Sequence, residues 1–155
     1  MGWLDCHLHT FRFGKVGTTK EIGIPVGEGF SDLETLPGWE IPIKDYFDVG
    51  KSCTYEYDFG DGWIHDLTLQ GLVLAEKGKR YPICLDGAMA CPPEDCGGIP
   101  GYYHLIEVFE DPDNEEYEEL LSWLGRPFDA KVFDPSLIRF ENPTKRWEYA
   151  FSGGT

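Results

Sequence analysis

Positive charge is scarce in this chain. Thirteen lysines and arginines stand against 28 aspartates and glutamates over 155 residues, a formal net charge of -15. Binding to a phosphate backbone is driven by cationic side chains that displace counterions, so direct nucleic-acid binding is disfavoured. The one local run of cations, Lys77-Gly78-Lys79-Arg80, reads as a charged hairpin tip. Long apolar runs are also missing: no stretch approaches the roughly 20 residues needed to cross a bilayer. The N-terminus lacks a basic-then-apolar signal segment, so a cytoplasmic protein is expected. The 5 cysteines are an odd number without C-x-x-C pairing, which reads as thiols in a reducing compartment. The G-x-x-x-x-G-K phosphate loop, the G-x-S-x-G nucleophile elbow, G-x-G-x-x-G after a strand and H-E-x-x-H are all absent. The common nucleotide and hydrolase chemistries are therefore not encoded in recognisable form.

What is present is aromatic. Hydrophobic residues make up 41% and aromatics 15% of the chain, which suits a globular protein, and the length fits one domain over residues 1–155. The densest stretch is Tyr55 to His65. Cys53, Tyr55, Tyr57 and Phe59 alternate with Thr54, Glu56 and Asp58, and Trp63, His65 and Leu67 alternate with Ile64, Asp66 and Thr68. This is the period of two half-buried strands around a reversal. A two-residue loop at Asp61-Gly62 pairs Asp58 with His65 but puts Glu56 and Asp58 beside Trp63 and Leu67. A three-residue loop, Gly60-Asp61-Gly62, pairs Phe59 with Trp63, Tyr57 with His65 and Tyr55 with Leu67, leaving one face apolar. A one-residue slip moves every side chain to the other face, so face matching selects the second register. Gly62 then supplies the left-handed residue that ends such a loop.

Elsewhere, Leu4 to Phe13 is predicted as a strand with His7, His9, Phe11 and Phe13 on one face. Ile22 to Val26 is a short strand candidate, Ser31 to Trp39 reads as loop and Ile43 to Val49 as a helical turn. The second hairpin strand is expected to run on through Leu72-Val73-Leu74, with Tyr81 to Leu85 as the third strand of a meander. Asp86 to Gly101 is a long Pro- and Gly-rich loop, of a length that is usually functional or metal-tied. Two helical stripes follow: Tyr102, Leu105, Ile106 and Phe109, then Tyr117, Leu120, Leu121 and Leu124. Asp113 with Glu116 resembles a capping box, and Gly125 is the stop. Asp134-Pro135 looks like the start of a short helix over Leu137 and Ile138. Residues 152–155 read as a frayed tail. The fold class expected is α+β: a mainly antiparallel, aromatic-rich sheet, a β-meander with a central hairpin, covered by C-terminal α-helices.

Chemistry candidates are few. Cys84, Cys91 and Cys96 are of the type that binds zinc, although cysteine is also a common buried small hydrophobe. His7 and His9, two apart on a strand, project from one face and suit a metal ion or a phosphate; packing beside Phe11 and Phe13 explains them equally well. Asp58, Asp61, Glu94 and Asp95 supply carboxylates for a hard cation such as magnesium or calcium, while aspartates in turns more often bond their own backbone. Gly97-Gly98 leads into a helix N-terminus that can receive an anion, and Trp63 and Tyr102 are further ligand-binding candidates.

Several segments together resemble one family. Gly2-Trp3 with His7-Leu8-His9-Thr10-Phe11, Tyr55 through His65, Cys91 through Gly98, Gly101-Tyr102, Trp123-Leu124-Gly125 and Phe128-Asp129 are similar to the Ri-plasmid ORF-three-like family, across nearly the whole chain. The resemblance implies a bacterial or archaeal protein found on plasmids and beside insertion elements. Some members carry a resolvase-like label, which this acidic chain does not support. Members usually begin with a further strand and helix; here the chain starts almost at Gly2-Trp3. A sheet without that segment exposes an edge and an apolar face, which a homodimer would cover. Two functions are expected from the residues. One is a non-enzymatic binding or regulatory module for a protein or small-molecule ligand. The other is a metal-dependent hydrolase using His7, His9 and nearby carboxylates around an ion that activates water.

Overall fold

The computed structural model describes residues 2–14, 19–25 and 33–145. The predicted tail at 152–155 and the end of the strand expected at Val26 lie outside them. The chain divides into two compact units: His7–Glu76, and Met1–Cys6 with Lys77–Thr155.

The first unit is a sheet of five strands in the order β3-β2-β1-β4-β5. β1 (His9–Phe13) runs antiparallel to both β2 (Lys20–Gly23) and β4 (Ser52–Tyr57), and β4 runs antiparallel to β5 (Trp63–Thr68). The short β3 (Thr35–Pro37) lies parallel to β2. That strand falls where a loop was expected. Three residues ending in proline carry no readable period, and a parallel partner leaves no turn signal in the sequence. β1 is shorter than the predicted Leu4–Phe13 strand. The helical turn is present as a 3-10 turn at Ile43–Asp45.

Register decides the faces. Ile22, Phe11, Tyr55 and His65 are partners in succession across β2, β1, β4 and β5, and His9, Tyr57 and Trp63 form a second row. Phe11 and Tyr55 have ring centroids 4.6 Å apart, and Tyr55 and His65 5.7 Å. Such rows contribute through area burial and through favourable edge and offset geometry. Tyr57 is 1% exposed. The reverse face is polar. Arg12 donates from Nε to Glu21 Oε1 at 2.7 Å and from Nη1 to Glu56, and Thr35 donates to the other Glu21 oxygen at 3.2 Å. Glu21 is buried, so these bonds offset the desolvation of its charge. Burial acts to lower the Arg12 pKa, but its hydrogen bonds to both glutamates and their negative charges outweigh it and hold the guanidinium above its ordinary value.

The face assignment therefore agrees with the hairpin reading, but the loop is longer. Tyr57 pairs with Trp63 and Tyr55 with His65, so the reversal spans five residues, Asp58–Gly62. Asp58 causes the difference. It adopts φ 55°, rare for a residue with a Cβ, and its Oδ1 accepts Gly60 N–H at 2.9 Å and Asp61 N–H at 3.3 Å. Gly62, at φ 68°, closes the loop with its N–H on Asp58 O. The expected extension of the meander is absent. Leu72, Val73 and Leu74 are 82%, 90% and 94% exposed, and neither they nor residues 81–85 form a strand. Apolar composition proposes a strand, but a strand exists only where a ladder partner exists.

The second unit holds two helices, α1 (Gly98–Glu110) and α2 (Tyr117–Leu124). The helices expected over the sheet belong to a different unit from it. Leu105 packs with Phe128 and Ala130, and Tyr102, Ile106, Phe109, Leu120 and Leu124 close around them. The first predicted stripe is thus the core-facing stripe of its helix, and Leu120 and Leu124 of the second join the same core, with Tyr117 edge-on to Phe109. The capping box is not formed. Asn114 Oδ1 accepts the Glu116 N–H and Asp111 Oδ1 the Asp113 N–H, so two tight turns enter α2 instead. Gly125 ends it at φ 73°, its N–H on Leu121 O at 2.8 Å. The short helix expected over Leu137 and Ile138 is a 3-10 turn at Pro135–Leu137, entered through Asp134, whose Oδ1 accepts Ser136 N–H at 2.8 Å. Among the described residues no helix is long and apolar enough to cross a membrane.

Candidate functional site

Three groups of predicted residues can be followed into the structure. The first is the histidine strand. The Asp58 turn leaves its Oδ2 3.7 Å from His7 Nε2, and Asp58 N–H bonds Leu8 O at 2.9 Å, which holds the turn against the residues just before β1. The His7 ring meets Tyr57 edge-on at 5.8 Å. The carboxylate that one register offered to His65 is thus beside His7. His65 is turned to the aromatic face, with its Nδ1 3.3 Å from Tyr55 O. His9 sits among Phe11 and Tyr55 at 6.3 and 5.9 Å. The histidine nitrogen and the carboxylate oxygen are both atoms that zinc accepts as ligands. Asp61 contributes its backbone N–H to the same turn.

The second group is the Cys91–Gly98 loop, which is tied down along its length. Trp3 Nε1 donates to Pro92 O at 2.8 Å, and the Leu4 N–H bonds the Glu94 carboxylate. Ala90 N–H bonds Ala130 O at 2.8 Å, and Tyr102 donates its hydroxyl to Ala90 O at 3.0 Å. Asp95, Gly97 and Gly98 all take positive φ, and a Cβ on Gly101 would overlap the Cys96 carbonyl. The glycines thus serve a tight entry into α1. Burial pushes the Cys91 thiol above its ordinary range, against a backbone hydrogen bond at Gly2. Burial likewise raises the Tyr102 hydroxyl. Cys84 donates weakly to Asp86 O, and the sulfurs of Cys84, Cys91 and Cys96 do not all lie within 4.8 Å of one another. Trp63 belongs to the sheet unit, whereas Gly97, Gly98 and Tyr102 belong to the helical one.

The third feature was not read from the sequence. Beside the aromatic row, an apolar cavity of about 130 Å³ opens in the sheet unit. Phe11, Phe13 and Ile22 of β1 and β2 line its floor. Gly38, Ile41, Ile43 and Tyr46 complete the lining, supplied by the two 3-10 turns that follow β3 and the residues that cap them. Phe13 is braced by Tyr46 at 5.4 Å and by Phe47 at 5.1 Å, edge-on. Ile43 stays 68% exposed at the mouth. The signal that was available is Ile41-Pro42-Ile43, two bulky aliphatics held extended by a proline in a stretch with no helical or strand period to bury them.

Known proteins place the chain. It is 37% identical over 149 residues to the uncharacterized protein y4hQ of Sinorhizobium fredii (strain NBRC 101917 / NGR234), covering 94% of this chain and 70% of that one. The crystal structure of a protein of unknown function from Methanosarcina mazei Go1 matches with a TM-score of 0.74 at 37% identity, over 90% of this chain and 77% of the other. The family described as plasmid pRiA4b ORF-3-like protein matches residues 1–137. The resemblance carried by the Tyr55–His65 and Cys91–Gly98 segments is therefore one of descent, and the chain belongs to the plasmid pRiA4b ORF-3-like family.

Proposed function

We propose that this protein is a non-enzymatic binding module, regulatory in role and cytoplasmic, whose sheet unit receives an apolar group of a ligand. The observation that carries this reading is the cavity over Phe11, Phe13 and Ile22. A concave apolar site on a rigid sheet, with loop residues at its mouth, is the usual form of a small-ligand site. The carboxylates support the same reading. Asp58, Asp86, Asp111, Asp129 and Asp134 each accept a backbone N–H one to three residues on, which is what turns ask of aspartate. Amide chemical-shift mapping with benzyl alcohol and n-hexanol tests the proposal. The expected result is saturable shifts at residues 11, 13, 22, 41 and 43–46; the absence of saturable shifts there with either probe overturns it.

A second reading, hydrolysis assisted by a divalent ion, is favoured by the His7–Asp58 distance of 3.7 Å. Elemental analysis of untagged protein separates the two. An ion near one equivalent that is lost in His7→Ala carries the hydrolytic reading, whereas a folded, metal-free protein removes it.

A further inference from the structure

The cavity has a size and a lining that narrow its ligand. We infer that it takes a single six-membered aromatic ring carrying no negative charge, and that the natural ligand is a small one-ring molecule, neutral or cationic. This rests on the binding reading above and specifies it. The volume of about 130 Å³ lies close to the roughly 150 Å³ apolar cavity known to accept benzene, so the second ring of a fused system would extend out through the mouth.

The lining favours a ring over a chain. Phe11 and Phe13 on the floor and Tyr46 on the rim offer edges and faces to an aromatic guest. Aromatic pairs gain from offset and edge-to-face geometry beyond what area burial alone gives. An aliphatic chain of equal volume would bury the same area without that gain. Near the lining residues in the chain, Glu40, Asp45 and Asp48 are exposed, as are Lys44 and, at the start of β2, Lys20. Lys51 pairs with Asp48. Local charge is therefore nearly balanced, and the -15 of the whole chain sets the sign of the field that a ligand crosses on approach. An aromatic floor also attracts a cation at its face, so a ring with an amine is tolerated where a ring with a carboxylate is not.

The test uses the whole chain and five probes: benzyl alcohol, phenethylamine, 3-phenylpropionate, 1-naphthylmethanol and n-hexanol. Dissociation constants are read from amide shifts at residues 11–13, 41 and 43–46. Benzyl alcohol and phenethylamine are expected to bind at least about fivefold tighter than n-hexanol, by the ring-geometry gain. Phenethylamine should exceed 3-phenylpropionate by about tenfold at low salt, the gap closing as ionic strength rises. Ile43→Glu, at an exposed position that folding does not need, should weaken benzyl alcohol by about fivefold or more, since it sets a charge at the mouth of an apolar site. Binding of n-hexanol or 1-naphthylmethanol as tight as benzyl alcohol overturns the one-ring inference and leaves the binding reading standing. So does 3-phenylpropionate equal to phenethylamine at low salt. Failure of all five at these amides overturns both.

Discussion

The sheet unit and the helical unit solve the same burial problem by different means. In the sheet unit, residues far apart in sequence meet in rows: Ile22, Phe11, Tyr55 and His65 on one face, Glu21, Arg12 and Glu56 on the other. In the helical unit, a small core around Leu105, Phe128 and Ala130 is held by helices three or fewer turns from their own end signals, and its turns are closed locally by Asp111, Asn114, Asp129 and Asp134. One unit depends on register, which is a long-range property. The other depends on periodicity and caps, which are short-range. The difference teaches where a single substitution acts: in the sheet it disturbs several strands at once, and in the turns of the helical unit it disturbs one.

The strongest test of this contrast places one methyl group in each unit. A Cβ at Gly23 would overlap His9 O, and one at Gly101 would overlap Cys96 O; in both the obstacle is backbone, which cannot rotate away. Each Gly→Ala change is expected to cost about 3 kcal/mol, the upper part of the range for overpacking. Hydrogen exchange read by mass spectrometry should show Gly23→Ala lowering protection through β1, β2 and β4, and Gly101→Ala lowering it in residues 91–110. Equal loss in both units from either change would break the distinction.

A middle-sized effect is expected from the polar face. Arg12→Met leaves buried Glu21 without its cation. The loss of one partner of a buried pair is worth about 3–5 kcal/mol, reduced here to about 2 because the Arg12 side chain is 34% exposed and partly screened. Urea unfolding measures it, and a change below about 0.5 kcal/mol would show the cluster to be no stronger than a surface pair.

The smallest effect sharpens what Asp58 does. Asp58→Asn keeps an oxygen for Gly60 and Asp61 and tolerates positive φ, so it should change stability by less than about 0.5 kcal/mol; Asp58→Ala loses both advantages and should cost about 1–2. If Asn is as damaging as Ala, the negative charge facing His7 matters more than the turn.

Legibility followed the same division. Both helical stripes and the Gly125 stop could be read from the sequence because all their determinants lie within a few turns. The faces of β4 and β5 could be read from parity, which a shift of register by two residues preserves. The loop length could not, because it hung on Asp58 adopting a conformation that an amino-acid identity permits but does not announce. β3 was hidden because its partner is parallel and distant. Leu72-Val73-Leu74 misled because composition indicates what a segment would bury without supplying anything to bury it against. Of the candidate site, the His7 strand was located but its acidic neighbour was identified only by the fold, and the cavity rim carried no period at all.

The two outer strands of the sheet differ in a way that bears on crowding. β3 is three residues long and ends in Pro37, two devices that blunt an edge against a foreign strand. β5 is six residues long, Trp63-Ile64-His65-Asp66-Leu67-Thr68, with neither proline nor lysine, and it runs toward the solvated Leu72-Val73-Leu74. Among the described strands, β3 thus carries both blunting devices, and β5 has Asp66 as its one acidic gatekeeper. At high concentration, repulsion between acidic surfaces opposes strand addition at β5, and salt or low pH weakens that repulsion.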